Sequence, residues 1–95
     1  MVAITARVQA AETPASFVFE GLLEFLTSNA QEAKVLRKFY TFILFPCLNP
    51  DGVVSGNYRS LVAGVDLNRQ WIKPEADFNP EVHAVKSVLR QIYET

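Results

Sequence analysis

Three short clusters in the sequence combine polar and charged residues of the kinds that bind ions and polar ligands. The first, residues 6–13, contains Gln9 and Glu12 three positions apart. The second, residues 48–53, reads Leu-Asn-Pro-Asp-Gly-Val, and the third, residues 56–71, contains two arginines, two asparagines and one aspartate. In open α/β sheets, functional sites lie just beyond the carboxyl ends of the strands. The first two clusters each follow a predicted strand, which makes them the first candidates for a site.

Two strands are predicted to position these clusters. Residues 2–8 are rich in β-branched side chains and alternate in the manner of a strand. Residues 39–46 are nearly all apolar, which is typical of a strand buried on both faces of a parallel sheet. The intervening segment is long enough to make a right-handed βαβ crossover between them.

Helices are predicted over residues 14–28, 30–38 and 80–93. The first begins with Thr13 as its N-cap and Pro14 at the first helical position, where a missing N–H costs nothing. Its apolar residues cover most of the circumference and predict a core helix covered on more than one side. The last helix carries one apolar stripe, and we expect His83 on its opposite, solvated face.

The fold class expected from these elements is α/β, with mainly parallel strands flanked by helices. A strand buried on both faces needs a neighbouring strand at each edge, and the sequence predicts a neighbouring strand for only one edge. We therefore expect residues 1–95 to form a single but partial domain of a larger α/β unit. An uncovered sheet edge of this kind is also expected to promote self-association.

Composition narrows the possible functions. The chain has 95 residues, 49% of them apolar, and a net charge of −1. Such balanced charge gives no field that would attract nucleic acid. The single cysteine, Cys47, excludes an internal disulfide and favours a reducing compartment, and we expect it to pack as a small apolar side chain at a strand end. No apolar run approaches the roughly 20 residues of a membrane span, and no signal peptide is evident, so the predicted location is cytoplasmic.

An ordered set of motifs resembles one family. The chain contains Thr5-Ala6-Arg7-Val8-Gln9-Ala10-Ala11-Glu12-Thr13, Pro46-Cys47-Leu48-Asn49-Pro50-Asp51-Gly52-Val53, Asn57-Tyr58-Arg59 and Gly64-Val65-Asp66-Leu67-Asn68-Arg69-Gln70-Trp71. These segments are similar to T-A-R-V-H-P-G-E-T, P-x-L-N-P-D-G-V, N-Y-R and G-x-D-L-N-R-x-W of the cytosolic carboxypeptidases, a branch of the zinc carboxypeptidases. The order and spacing match over essentially the whole chain, which implies the first part of that catalytic domain.

The resemblance implies a zinc site and a substrate clamp. In the family, the His and Glu of H-x-x-E and a distant second His hold zinc, which activates a water, while a late Glu acts as general base. Asn and Arg side chains grip the C-terminal carboxylate of the substrate. Carried over to matching positions, Arg59, Asn68 and Arg69 would form the clamp, and Glu12 would be the zinc carboxylate.

This sequence departs from the pattern at the zinc site. Gln9 occupies the position of the first zinc His, and a neutral amide is a poor zinc ligand. Ala10 and Ala11 replace the Pro-Gly of the motif, and the second zinc His and the general-base Glu have no counterpart in these residues. The simpler interpretation of Glu12 is an acid favoured by a helix N-terminus. The arginines could likewise make ordinary surface ion pairs.

The resemblance leaves three functional hypotheses. The first is a zinc metallocarboxypeptidase that removes C-terminal glutamate from polyglutamylated proteins such as tubulin, with this chain alone inactive. The second is a non-catalytic module that binds acidic C-terminal peptide tails. The third is a truncated remnant without function.

Overall fold

The computed structural model describes residues 1–58 and 66–94. Its elements, in chain order, are β1 (Val2–Thr5), α1 (Thr13–Leu26), α2 (Gln31–Phe39), β2 (Phe42–Phe45), α3 (Pro50–Ser55), a single 3-10 turn (Leu67–Arg69) and α4 (Pro80–Tyr93). The predicted α/β class is confirmed, as is the predicted position of the last helix.

The two strands pair in parallel, as the βαβ interpretation requires. Val2 lies opposite Phe42 and Thr5 lies opposite Phe45. The pairing continues beyond β1, since the Ala6 N–H donates to the Phe45 carbonyl at 2.9 Å. The first strand is nevertheless shorter than the predicted 2–8, because Arg7 adopts a left-handed backbone with φ 54° and extended geometry ends there.

The second strand is also shorter than predicted. Helix α2 runs through Phe39, so the strand begins at Phe42 rather than at residue 39. Its four residues are all partly exposed, and the prediction of a strand buried on both faces is therefore wrong for this chain. The reason is geometric, since the sheet formed by the described residues has only two strands, and each strand therefore has an edge without a paired strand among these residues.

Helix α1 differs from its prediction at both ends. Its N-cap is Glu12 rather than Thr13, and no side chain caps it. The helix ends at Leu26 rather than Ser28, because two hydroxyls take up carbonyls of its last turn. Thr27 Oγ1 donates to the Leu23 carbonyl at 2.8 Å, and Ser28 Oγ donates to the Phe25 carbonyl at 2.7 Å.

The Asn-Pro-Asp-Gly segment starts a short helix, although these residue types are also typical of turns. The side chain of Asn49 accepts a hydrogen bond from the Gly52 N–H as the N-cap of α3, and Pro50 occupies the first turn. Both residues are favoured at these positions. Gly56 closes the helix in a left-handed conformation with φ 74°, which glycine adopts without steric cost.

Burial is uneven across the molecule. Leu67 and Val82 form a small core against which Val8 and Trp71 pack. By contrast, Phe17 and Val18 on α1 are 72% and 71% exposed, so the expectation that α1 is covered on more than one side is wrong for the described residues. These apolar side chains lack covering elements, which is consistent with a domain of which this chain is one part.

Two further expectations concern exposure and membrane insertion. Cys47 is exposed, and the predicted apolar packing role is wrong because β2 ends before it and no described element covers this turn. His83 is exposed on α4, which confirms its predicted place on the solvated face. Among the helices of the described residues, none has the length and apolar character needed to span a bilayer.

Candidate functional site

The first two clusters meet at the carboxyl end of the sheet. Beyond the paired strands, the Leu48 N–H donates to the Ala6 carbonyl at 3.1 Å. Asn49 then reaches across with its amide, since Nδ2 donates to the Val8 carbonyl at 3.3 Å. Asn49 is fully buried, with 0% of its surface exposed. The α3 cap and the loop that follows β1 are thus joined by one side chain.

Arg7 shapes the loop that presents Gln9 and Glu12. Its Nε donates to the Ala10 carbonyl at 2.8 Å, and its Nη1 donates to Ser16 Oγ at 2.9 Å. The Glu12 N–H donates to the Gln9 carbonyl at 3.2 Å and closes the turn. A charged donor makes stronger hydrogen bonds than a neutral one. The guanidinium therefore ties this loop to the first turn of α1.

The third cluster approaches the same loop from two sides. The Ala11 N–H donates to the Tyr58 carbonyl at 2.7 Å, which places Tyr58 next to the residue before Glu12. Leu67 is fully buried and forms, with Val82, the cluster against which Val8 packs, so the Asp-Leu-Asn-Arg turn belongs to the same small core as Val8 of the first cluster. The backbone therefore brings the first two clusters and the described parts of the third, residues 56–58 and 66–71, to one end of the sheet.

The described clamp candidates lie on the 3-10 turn. Asn68 and Arg69 are both exposed. The Asn68 N–H donates to Asp66 Oδ1 at 3.0 Å, and Asn68 Oδ1 accepts from Trp71 Nε1 at 3.1 Å. With the amide oxygen occupied by the indole, the NH₂ group of Asn68 is the part left to bind a ligand. Arg59, the remaining clamp candidate, lies outside the described residues.

The two residues at the zinc-ligand positions of the family motif differ in their exposure. Gln9 is buried, with 8% of its surface exposed, whereas Glu12 is exposed at the start of α1. Over residues 1–58 and 66–94, no three His, Cys, Asp or Glu side chains come close enough to hold a metal ion. One carboxylate beside a neutral amide falls short of the usual three protein ligands of catalytic zinc. The described residues by themselves therefore do not fit a zinc ion.

Two residues outside the predicted clamp and zinc set, Asn49 and Arg7, build this site. The sequence carries a signal for Asn49, because an asparagine followed by proline is the usual pattern of an N-cap before N1. Arg7 has a structural role, since its guanidinium donates to the Ala10 carbonyl and to Ser16 Oγ. No sequence signal indicated that Arg7 would adopt a left-handed backbone, because this conformation is uncommon for any residue with a Cβ.

Comparison with known proteins decides the family. The family model described as zinc carboxypeptidase matches residues 1–94. The chain belongs to the zinc carboxypeptidase family. Human cytosolic carboxypeptidase 6 is 47% identical to this carboxypeptidase chain over 93 residues, which are 98% of the chain and 18% of the relative. Mouse cytosolic carboxypeptidase 4 is 47% identical over 92 residues, 97% of the chain and 8% of the relative.

Solved structures give the same result for the fold. A metallo-carboxypeptidase from Burkholderia cenocepacia superposes with a TM-score of 0.91 and 38% identity, over 96% of this chain and 25% of that one. A metallo-carboxypeptidase from Pseudomonas aeruginosa, solved with (2-guanidinoethylmercapto)succinic acid, gives a TM-score of 0.78 and 34% identity over 95% and 24%. The resemblance to the cytosolic carboxypeptidases is confirmed. The chain spans a quarter or less of each of these proteins.

Proposed function

We propose that this chain forms the substrate-carboxylate clamp and the Glu12 side of a cytoplasmic carboxypeptidase site. The substrate would be the C-terminal residue of an acidic tail, with glutamate of polyglutamylated proteins such as tubulin as the expected case. The observation that carries the proposal is the hydrogen bond between Ala11 and Tyr58. This bond brings Tyr58, the residue before Arg59 in the sequence, into direct contact with the Glu12 loop, which supports a clamp that lies close to the scissile bond.

The chemistry of the 3-10 turn supports a carboxylate as the ligand. Asn68 offers its NH₂ donors, and Arg69 offers a planar guanidinium that matches a carboxylate with two parallel bonds. Arg59 follows Tyr58 directly in the sequence and would add a second guanidinium. The Pseudomonas aeruginosa relative, solved with a substituted succinic acid, supports a carboxylate-binding site in this fold.

The proposal includes no hydrolysis by the 95-residue chain alone. Gln9 occupies the position of the first zinc His in the family motif, and the described residues do not assemble a metal site. The test is release of C-terminal glutamate by the purified chain with added zinc. No turnover above a blank is expected, and turnover that disappears in Glu12→Ala would contradict this part of the proposal.

The clamp itself is tested by titration with two versions of one peptide. A glutamate-ended peptide should bind more tightly than the same peptide with a C-terminal amide, because only the first presents a carboxylate. Asn68→Ala and Arg69→Gln should remove this difference, whereas the exposed Lys34→Gln on α2 should preserve it. Equal affinity of the wild-type chain for both peptides would exclude the carboxylate clamp.

A second candidate function is a binding module without catalysis. It is favoured by the same observation that weakens the zinc site, since clamp candidates are exposed while the described residues lack a metal-ligand set. In that case the chain binds the glutamate-ended peptide more tightly than its amide, and no added metal produces peptide hydrolysis. The third hypothesis, a remnant that associates through its uncovered sheet, predicts no defined monomer and no preference for the free carboxylate.

A further inference from the structure

A cleft unrelated to the proposed clamp lies between α4 and the loop that follows Trp71. We call it the basic pocket, a space of about 210 Å³ whose polar lining among the described residues is Lys73, His83, Lys86, Ser87 and Arg90. Neither Glu12 nor the described clamp candidates line it. The proposed function therefore leaves the pocket without a role.

The charges of the basic pocket have one sign. Lys73, Lys86 and Arg90 are cationic, and no carboxylate lines the cleft among the described residues. His83, Lys86 and Arg90 follow each other at intervals of three and four residues in α4, which places them on one helical face. Like charges at such spacing repel each other. A bound anion would relieve this repulsion and would be attracted by all three cations.

Lys86 is held in place before any ligand arrives. Its Nζ donates to the Trp71 carbonyl at 2.7 Å and to the Ile72 carbonyl at 3.1 Å, so it joins the two walls of the cleft. An ammonium has three N–H donors, and within the described residues these bonds use two. The third is left for a ligand, and binding to it requires little further ordering of the side chain.

Size and charge together select the ligand class. The volume of about 210 Å³ is below the roughly 300–1,000 Å³ of pockets for drug-sized ligands, which favours a small anion. A carboxylate needs only one guanidinium, whereas three cations around one cleft can neutralise more than a single negative charge. Lysines bind phosphate as point charges and arginine binds it bidentately. We propose that the basic pocket binds a phosphate group carrying two negative charges.

The test is a titration of the 95-residue chain with sodium phosphate, in which binding is monitored through the amide chemical shifts. Sodium chloride and sodium glutarate at matched ionic strength serve as the screening and carboxylate comparisons. We expect saturable shifts at Lys73, His83 and Arg90 with phosphate only. Lys73→Gln and Arg90→Gln should each weaken binding at least about tenfold, the lower end of the effect of one hydrogen bond to a charged group.

The control variant is Lys34→Gln, which removes an exposed cation from α2 outside the pocket and should leave phosphate affinity unchanged. Lys73 and Arg90 are exposed, so their variants should keep the fold. As a second measurement, phosphate should raise the urea midpoint of the wild-type chain more than that of Arg90→Gln, because a ligand of the native state stabilises it.

Three results would overturn the proposal. Shifts with phosphate that are linear and equal to those with chloride would indicate screening alone. Glutarate binding as tight as phosphate would indicate a carboxylate site instead. Unchanged affinity in both pocket variants would show that phosphate binds elsewhere. None of these results bears on the peptide clamp, whose described residues lie outside the pocket.

Discussion

Replacing Asn49 by alanine should loosen the junction between the sheet and the candidate site. The side chain accepts from the Gly52 N–H at 2.9 Å, and loss of such an N-cap costs about 1 kcal/mol. The same side chain donates to the Val8 carbonyl at 3.3 Å, and leaving that carbonyl without its partner costs about 1 kcal/mol more. We therefore expect Asn49→Ala to lower the free energy of unfolding by about 2 kcal/mol.

The assay is urea unfolding monitored by circular dichroism. For a domain of this size, a loss of about 2 kcal/mol also corresponds to a fall in Tm of about 8–16 °C. Asn49→Ser keeps an oxygen that can cap α3 but loses the amide donor, so it should lose about half as much. Asn29→Ala serves as the control, because Asn29 is exposed and its loss should change stability by less than about 0.5 kcal/mol.

A local measurement separates the bond of Asn49 to Gly52 from its bond to Val8. The Gly52 amide should exchange its hydrogen faster in Asn49→Ala than in the wild-type chain, since its acceptor is gone. In Asn49→Ser this amide should keep most of its protection. The reasoning is refuted if Asn49→Ala unfolds within about 0.5 kcal/mol of the wild-type chain, or if the serine variant loses as much stability as the alanine variant.

Three other substitutions test the remaining structural assignments. Arg7→Ala removes the donor to the Ala10 carbonyl at 2.8 Å. Calorimetry should then show that a glutamate-ended peptide binds severalfold more weakly. Unchanged affinity would show that the Glu12 loop does not contribute to the clamp. Gly56→Ala has room for the methyl group, with nothing within 4 Å, but a φ of 74°, so urea unfolding should show a loss of about 1 kcal/mol from the backbone alone. Thr5→Lys places a charge on an exposed position of β1 and should shift sedimentation towards the monomer, whereas Glu20→Lys on α1 should not.

Local chemistry made much of the fold predictable. Helix α4 was placed at residues 80–93 because its apolar stripe and the preceding Asn79-Pro80 agree on one start and one face. The parallel pairing followed from an apolar strand separated from residues 2–8 by helices. The ends of α1 were less predictable, because Glu12, Thr13 and Pro14 offer competing starts and only the surrounding backbone selects one.

The location of the candidate site was predictable from the sequence, whereas the hydrogen bonds that build it were not. The rule that sites follow the carboxyl ends of parallel strands correctly indicated where the first two clusters would meet. The contact between Ala11 and Tyr58 could not be derived in this way, because it joins backbone groups 47 positions apart in the sequence. Side-chain type carries no information about such a pairing.

The sequence by itself determined the family, the α/β class and the candidate chemistry, because these depend on residue types and their order. Only the tertiary structure decided how the parts meet. Arg7 took a left-handed backbone and turned its guanidinium onto the Glu12 loop, and Asn49 became a fully buried bridge. It also decided exposure, since the open sheet leaves Phe17 and Cys47 uncovered. Burial depends on which elements pack together, and that is a property of the assembled molecule rather than of any single segment.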